Sequence, residues 1–133
     1  MRYELTRDLE TGNSLIDSQH RQLLKAVNDL MDACSQGRGR EHMETALKFL
    51  ISYVDRHFKD EEQLQAQAAY PGLSGHRQFH EGYKRQLGQV ANEMRTQGAT
   101  IAMLSKLNQV VGILINHIRM EDKKVAAHVK SRS

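Results

Sequence analysis

The sequence predicts an all-α fold: an up-down-up-down antiparallel four-helix bundle with an extended N-terminal arm. Three observations predict it. Four stretches place apolar residues at alternating spacings of three and four, which lines one face of a helix. The breaks between them carry glycine, or proline with glycine, as turns do. Proline occurs once in 133 residues, aromatic residues make up 5%, and no stretch alternates like a strand. Amphipathic helices with short connections pack antiparallel around a shared core, so residues 1–133 are expected to form one domain.

Residues 1–12 show no clear period and lead into Thr11-Gly12-Asn13, which reads as an arm. Asn13 or Ser14 can cap a first helix over about 13–36, whose stripe is Ile16, Leu23, Val27, Leu30 and Cys34. The glycines of Gln36-Gly37-Arg38-Gly39 favour a turn. A second helix over about 40–68 carries Met43, Leu47, Leu50, Val54 and Leu64, and Tyr70-Pro71-Gly72 stops it. The third, about 74–97, carries Tyr83, Leu87, Val90 and Met94 and ends at Gly98. Thr100 can cap the fourth, about 100–128, with Met103, Leu107, Val110, Leu114, Ile118 and Val125. Gly112 inside that helix suggests close packing, or else a passage.

With 39% hydrophobic and 26% charged residues, the chain is globular and not disordered. A formal charge of +3 is spread along the sequence without interleaved aromatic residues, so nucleic acid is not an expected partner. No apolar run looks long enough to span a bilayer, and the N-terminus lacks a signal-like stretch. Cys34 is the single cysteine, which rules out an intramolecular disulfide. A cytoplasmic location is the default expectation, and a monomer the simplest.

The stripes also contain groups that do not belong in an apolar core. His57 and Glu61 extend the second-helix series, His76 and His80 begin the third, His20 lies between Ile16 and Leu23, and His117 follows Val110 and Leu114. Each group buried without a partner costs several kcal/mol. A single such histidine reads as a hydrogen-bonded core residue. On all four helices, and at the same end of an antiparallel bundle, they read as one shared site for two or more metal ions. The pairs His57/Glu61 and His76/His80 project from single helical faces. Asp122 lies five residues after His117, about 140° around an ideal helix, so it must reach in from the flank or the helix must bend locally.

These residues resemble the hemerythrin family. The likeness rests on Ile16-Asp17-Ser18-Gln19-His20, on His57-Phe58-Lys59-Asp60-Glu61-Glu62, on Tyr70-Pro71 with His76-Arg77-Gln78-Phe79-His80, and on His117-Ile118-Arg119-Met120-Glu121-Asp122. It spans nearly the whole chain. A member of that family is a standard example of the up-down bundle, so the likeness bears on function more than on fold. It implies two iron ions joined by an oxo or hydroxo bridge. His76, His80 and His117 would hold one iron, His20 and His57 the other, with Glu61 and Asp122 bridging them. Counting bonds leaves one position open on the iron with two histidines, where dioxygen would bind reversibly for carriage, storage or delivery. Leu23, Phe58, Ile113, Leu114 and Ile118 would wall the dioxygen pocket. Leu5 stands where the family often has tryptophan, and Leu64 and Val125 where methionine and an aromatic residue are common. His42 and His128 fall outside the motif and are expected on the surface and in a frayed tail.

A di-iron enzyme of the carboxylate-rich kind would carry Glu-x-x-His pairs, and none is present. His76-Arg77-Gln78-Phe79-His80 lacks the glutamate of a zinc hydrolase. The resemblance therefore implies binding and not catalysis. Its alternatives are an oxygen, redox or iron sensor acting through a separate partner that the sequence does not identify, and an enzyme handling peroxide or nitric oxide.

Overall fold

The computed structural model describes residues 3–35, 40–98 and 100–132, and among these no strand occurs. Helix α1 spans Ser14–Ser35, α2 Arg40–Gln67, α3 Leu73–Gln97 and α4 Ile101–His117. A π-helical turn, Ile118–Asp122, follows α4 without a break and leads into α5, Lys123–Arg132. Helices α1 to α4 pack in chain order, and α5 returns against α2. The turn expected at 36–39 and the side chain of His42 lie outside the described residues.

Most of the stripes read from the sequence form the core, while Cys34 and Leu64 are half-buried and Ile16 and Val125 belong to a second, smaller cluster. Leu23, Leu30, Leu47, Leu107 and Met94 are fully buried and belong to one cluster drawn from all four helices. Inside it the Tyr83 hydroxyl donates to the Val110 carbonyl at 3.0 Å, which ties α3 to α4. Burial pushes the Tyr83 phenol well above its usual range.

The helix ends follow local chemistry. The Asn13 side chain accepts from the Ile16 N–H at 3.0 Å, and the Thr100 hydroxyl accepts from the Met103 N–H at 3.2 Å. Helix α2 ends without a glycine. Tyr70 N–H donates to the Gln65 carbonyl and Ala69 N–H to the Ala66 carbonyl, while Ala69 sits at φ 53°. This is a Schellman closure, with alanine in the left-handed conformation that glycine usually supplies.

The arm is only partly extended. Arg7–Leu9 form a 3-10 turn that buries Leu9 in the core, and Leu5 packs against the same cluster. Asn28 exchanges hydrogen bonds with the Tyr3 backbone, and Tyr3 Oη donates to Asn108. Buried Asp17 fastens the junction by accepting from Thr11 and Gly12 N–H.

Three expectations need correction. His128 is not in a frayed tail: its Nε2 lies 2.8 Å from the Ala68 carbonyl, and its ring packs edge-on against Tyr70. A carbonyl left open at the end of α2 thus finds a partner. Gly112 does not serve close packing, since a Cβ there would meet nothing within 4 Å. Finally, the continuous helical run Ile101–Arg132 contains a window of mean hydropathy 1.3, enough by length and composition alone to cross a bilayer. In this fold its stripe Met103, Leu107, Val110, Leu114 and Ile118 packs into the bundle core.

Candidate metal centre

The seven chemically active side chains meet at one end of the bundle. His57 and Glu61 come from the second half of α2, His76 and His80 from the start of α3, and His20 from the second turn of α1. The π-turn settles how Asp122 arrives. An i→i+5 ladder inserts one extra residue per turn, so Asp122 swings under His117 and its Oδ1 lies 3.3 Å from His117 Nε2. All seven side chains are 7% exposed or less.

Two nests of donor atoms result. Glu61, His76, His80 and His117 form one, and His20, His57, Glu61 and Asp122 the other, with all donors in each nest within 4.8 Å of one another. Each carboxylate divides its oxygens between the nests. Glu61 Oε1 is 3.3 Å from both His76 Nδ1 and His80 Nε2, while its Oε2 is 3.7 Å from His57 Nε2. Asp122 Oδ1 faces His117, and its Oδ2 is 3.0 Å from His20 Nε2.

Burial and charge act against each other here. Burial lowers the His57 pKa to about 4, outweighing the attraction of Glu61. Burial would raise the Asp122 carboxyl, but the short contacts and charges of His117 and His20 win and hold it well below the usual range. Glu61 is lowered too: burial and Asp122 oppose ionisation, and His76 and His80 overcome them. For His76, burial opposes protonation, yet contact with Glu61 outweighs it and raises the pKa.

A family model described as "Hemerythrin HHE cation binding domain" matches residues 11–129. The chain belongs to the hemerythrin family. It is 29% identical to a bacteriohemerythrin of Stenotrophomonas maltophilia, over 93% of this chain and 79% of that one. A Pseudomonas aeruginosa bacteriohemerythrin is 30% identical over 86% of this chain and 73% of its own. One from Campylobacter jejuni is 26% identical over 93% and 92%. The crystal structure of a hemerythrin mutant superposes with a TM-score of 0.83, covering 97% of this chain and 96% of that one; at 24% identity it shows the fold.

The donor set suits a metal. Among the described residues, His20 Nε2, Glu61 Oε2, His76 Nε2, His80 Nε2, His117 Nε2 and Asp122 Oδ1 are buried side-chain atoms with no hydrogen-bond partner. Native interiors rarely leave such atoms unpaired, and imidazole with carboxylate fits a divalent first-row cation.

Sequence reasoning missed the groups behind the donors. Gln19 Oε1 lies 2.7 Å from His57 Nδ1, and its amide nitrogen donates to Asp60. Glu62 Oε2 lies 2.8 Å from His80 Nδ1 and also meets Arg77. The fully buried Gln65 places its Nε2 3.0 Å from His76 Nδ1. Partners of this kind fix ring orientation and donor strength. Only Gln65 carried a signal, since it follows His57 and Glu61 at the same four-residue step. Phe79 was missed as well: its ring stacks on His117 at 3.8 Å, as Phe58 stacks on His80.

The expected pocket wall divides. Leu23, Phe58, Leu114 and Ile118 are 0–2% exposed members of the core cluster. Ile113 is 39% exposed and lines an outer groove with Gly112 and Met120, so it does not belong to that wall. It sits one residue before Leu114, about 100° around the helix, which turns it outward.

Proposed function

We propose that this chain binds dioxygen reversibly at a di-iron centre, for carriage, storage or delivery. The observation that carries the reading is the pair of carboxylates with oxygens shared between two histidine nests. His76, His80 and His117 would hold one iron and His20 and His57 the other, with Glu61 and Asp122 bridging. Two ferrous ions so held would supply the electrons that make dioxygen binding favourable.

The remaining work falls to the protein. Leu23, Phe58, Leu114 and Ile118, all 0–2% exposed, would form the apolar surround that excludes water, and with it the protons that promote oxidative loss of a bound gas. Gln19, Glu62 and Gln65 hold three imidazoles in fixed orientation. Histidine-rich ligation with two carboxylates keeps the net charge of the site low. That supports binding over turnover, because high-valent iron is better stabilised by anionic donors.

The test is an anaerobic optical titration of iron-loaded, reduced protein with dioxygen, after counting metal per chain. Two irons, with charge-transfer bands that appear with dioxygen and fade on its removal, support the reading. Immediate oxidation without a reversible adduct refutes it.

A further inference from the structure

The five histidines of the centre do not meet solvent equally. His20, His57 and His80 are 0–1% exposed, whereas His76 and His117 are 4% and 7% exposed. His117 borders the outer groove beside Ile113, and one cleft meets both histidines. A surface cleft of about 400 Å³, by the start of α3 and the end of α4, is lined by Tyr70, Gly75, His76, Phe79, His117 and Glu121. The Nε2 atoms of both histidines are themselves buried, so other parts of the two rings face the cleft. At Gly75 a Cβ would meet nothing within 4 Å, which leaves this side of the cleft open. His20 and His57, by contrast, are 0% and 1% exposed, with their rings 4.8 Å apart in the interior and Phe58, 2% exposed, beside His57.

From this asymmetry we propose that metal ions and other aqueous solutes reach the centre through the Gly75 cleft, past His76 and His117. The three-histidine half then exchanges its metal with solution, and the His20/His57 half does not do so directly. The inference rests on the di-iron reading and adds the route by which the centre is filled and emptied.

Two physical reasons support it. A hydrated cation loses much solvation free energy in an apolar core, while a small neutral gas loses little. The buried interior around His20 and His57, with Phe58 beside His57, therefore filters against ions without excluding dioxygen. Second, releasing a metal requires an imidazole to swing aside. His76 packs edge-on against Tyr70 at a centroid distance of 5.8 Å, beside the cleft, so its ring has open space to enter. His20 and His57 face one another at 4.8 Å inside the bundle, and moving either disrupts close-packed neighbours.

The experiment is anaerobic removal of ferrous iron from the loaded full chain by excess water-soluble chelator, followed through the colour of the chelate. Two phases are expected. The fast one accelerates with chelator concentration, and the slow one does not. Gly75→Leu fills the cleft and should slow the fast phase several-fold, leaving the slow phase and the helical circular dichroism unchanged. Gly75→Gln, whose side chain suits an exposed helix, gives an independent version of the same block, and Gly75→Ala should release iron at close to the wild-type rate. An unchanged fast phase in either folded, space-filling variant overturns the proposal. So does release of both irons in one phase independent of chelator, because opening of the whole bundle would then be the route. A chain that retains no iron overturns the di-iron reading itself, an outcome distinct from two retained irons with an unaltered fast phase.

Discussion

Removing the metal should destabilise this protein far more than stripping an ion from a surface site would. Six donor atoms, one each from His20, Glu61, His76, His80, His117 and Asp122, are buried without hydrogen-bond partners. A buried polar group left unsatisfied costs about 1–3 kcal/mol, more when charged, so the set costs up to roughly 6–18 kcal/mol, offset in part by contacts such as His20 Nε2 to Asp122 Oδ2 at 3.0 Å. An ordinary domain has only about 5–15 kcal/mol in hand. The metal-free chain should therefore be marginal, or should relax around the centre. From the other direction, an ion at a thousandfold excess over its Kd stabilises by about 4 kcal/mol. For a chain of this length each kcal/mol moves Tm by roughly 3–4 °C. One ion should raise Tm by about 15 °C and two by about twice that. The assay is a thermal melt by circular dichroism, in chelator and after stepwise ferrous reconstitution, with metal content measured on the same samples. Two bound irons with a midpoint that moves by only a degree or two would refute the reasoning, because the donors would then be satisfied without metal.

Other outcomes follow from single features. In the metal-free protein the His57 pKa is lowered to about 4 against an unfolded value near 6.5. The unfolded chain then binds the proton more readily, so stability present at neutral pH is lost as pH falls from about 6.5 towards 4, by about 3 kcal/mol. Denaturant melts across that window should show the loss in the wild type and a smaller one in His57→Leu. Glu62→Gln removes the charged partner of His80 Nδ1 and should weaken metal binding by about 10–100-fold, read by competition with a chromophoric chelator. Phe58→Ala empties a fully buried site beside His80, which should cost about 3–5 kcal/mol in denaturant melts and speed oxidation of the reduced centre in air. Ala69→Gly relieves the left-handed alanine that closes α2 and should stabilise the chain by up to about 1 kcal/mol, measured as a shift in urea midpoint without a change in m.

The sequence alone determined the periodic part of this molecule. Helical stripes are a local property: spacings of three and four around Leu47, Leu87 and Leu107 fix which face is buried before any partner is known. The same logic exposed His20, His57, Glu61, His76, His80 and His117, because a polar residue at a core position stands out against its apolar neighbours. Asp122 was half legible. Its five-residue offset from His117 required a distortion of the helix, and only the folded chain showed that the distortion is a π-turn.

What the tertiary structure decided lies between helices, where sequence carries no period. The division of each carboxylate between two nests depends on how α1, α2, α3 and the end of α4 converge. Gln19 and Glu62 became partners of His57 and His80 because α1 meets α2 and α2 meets α3 at those heights, and a polar residue beside a motif looks like any solvated neighbour until then. Ile113 and Gly112 turned outward for the same reason, since hydrophobicity names a candidate for burial but does not fix which way the helix faces. His128 was misread because a lone polar residue near a chain end gives no sign of the carbonyl waiting for it at Ala68. Periodicity is written into neighbouring residues. Contacts between distant ones exist only after folding has chosen the rotation and height of each helix.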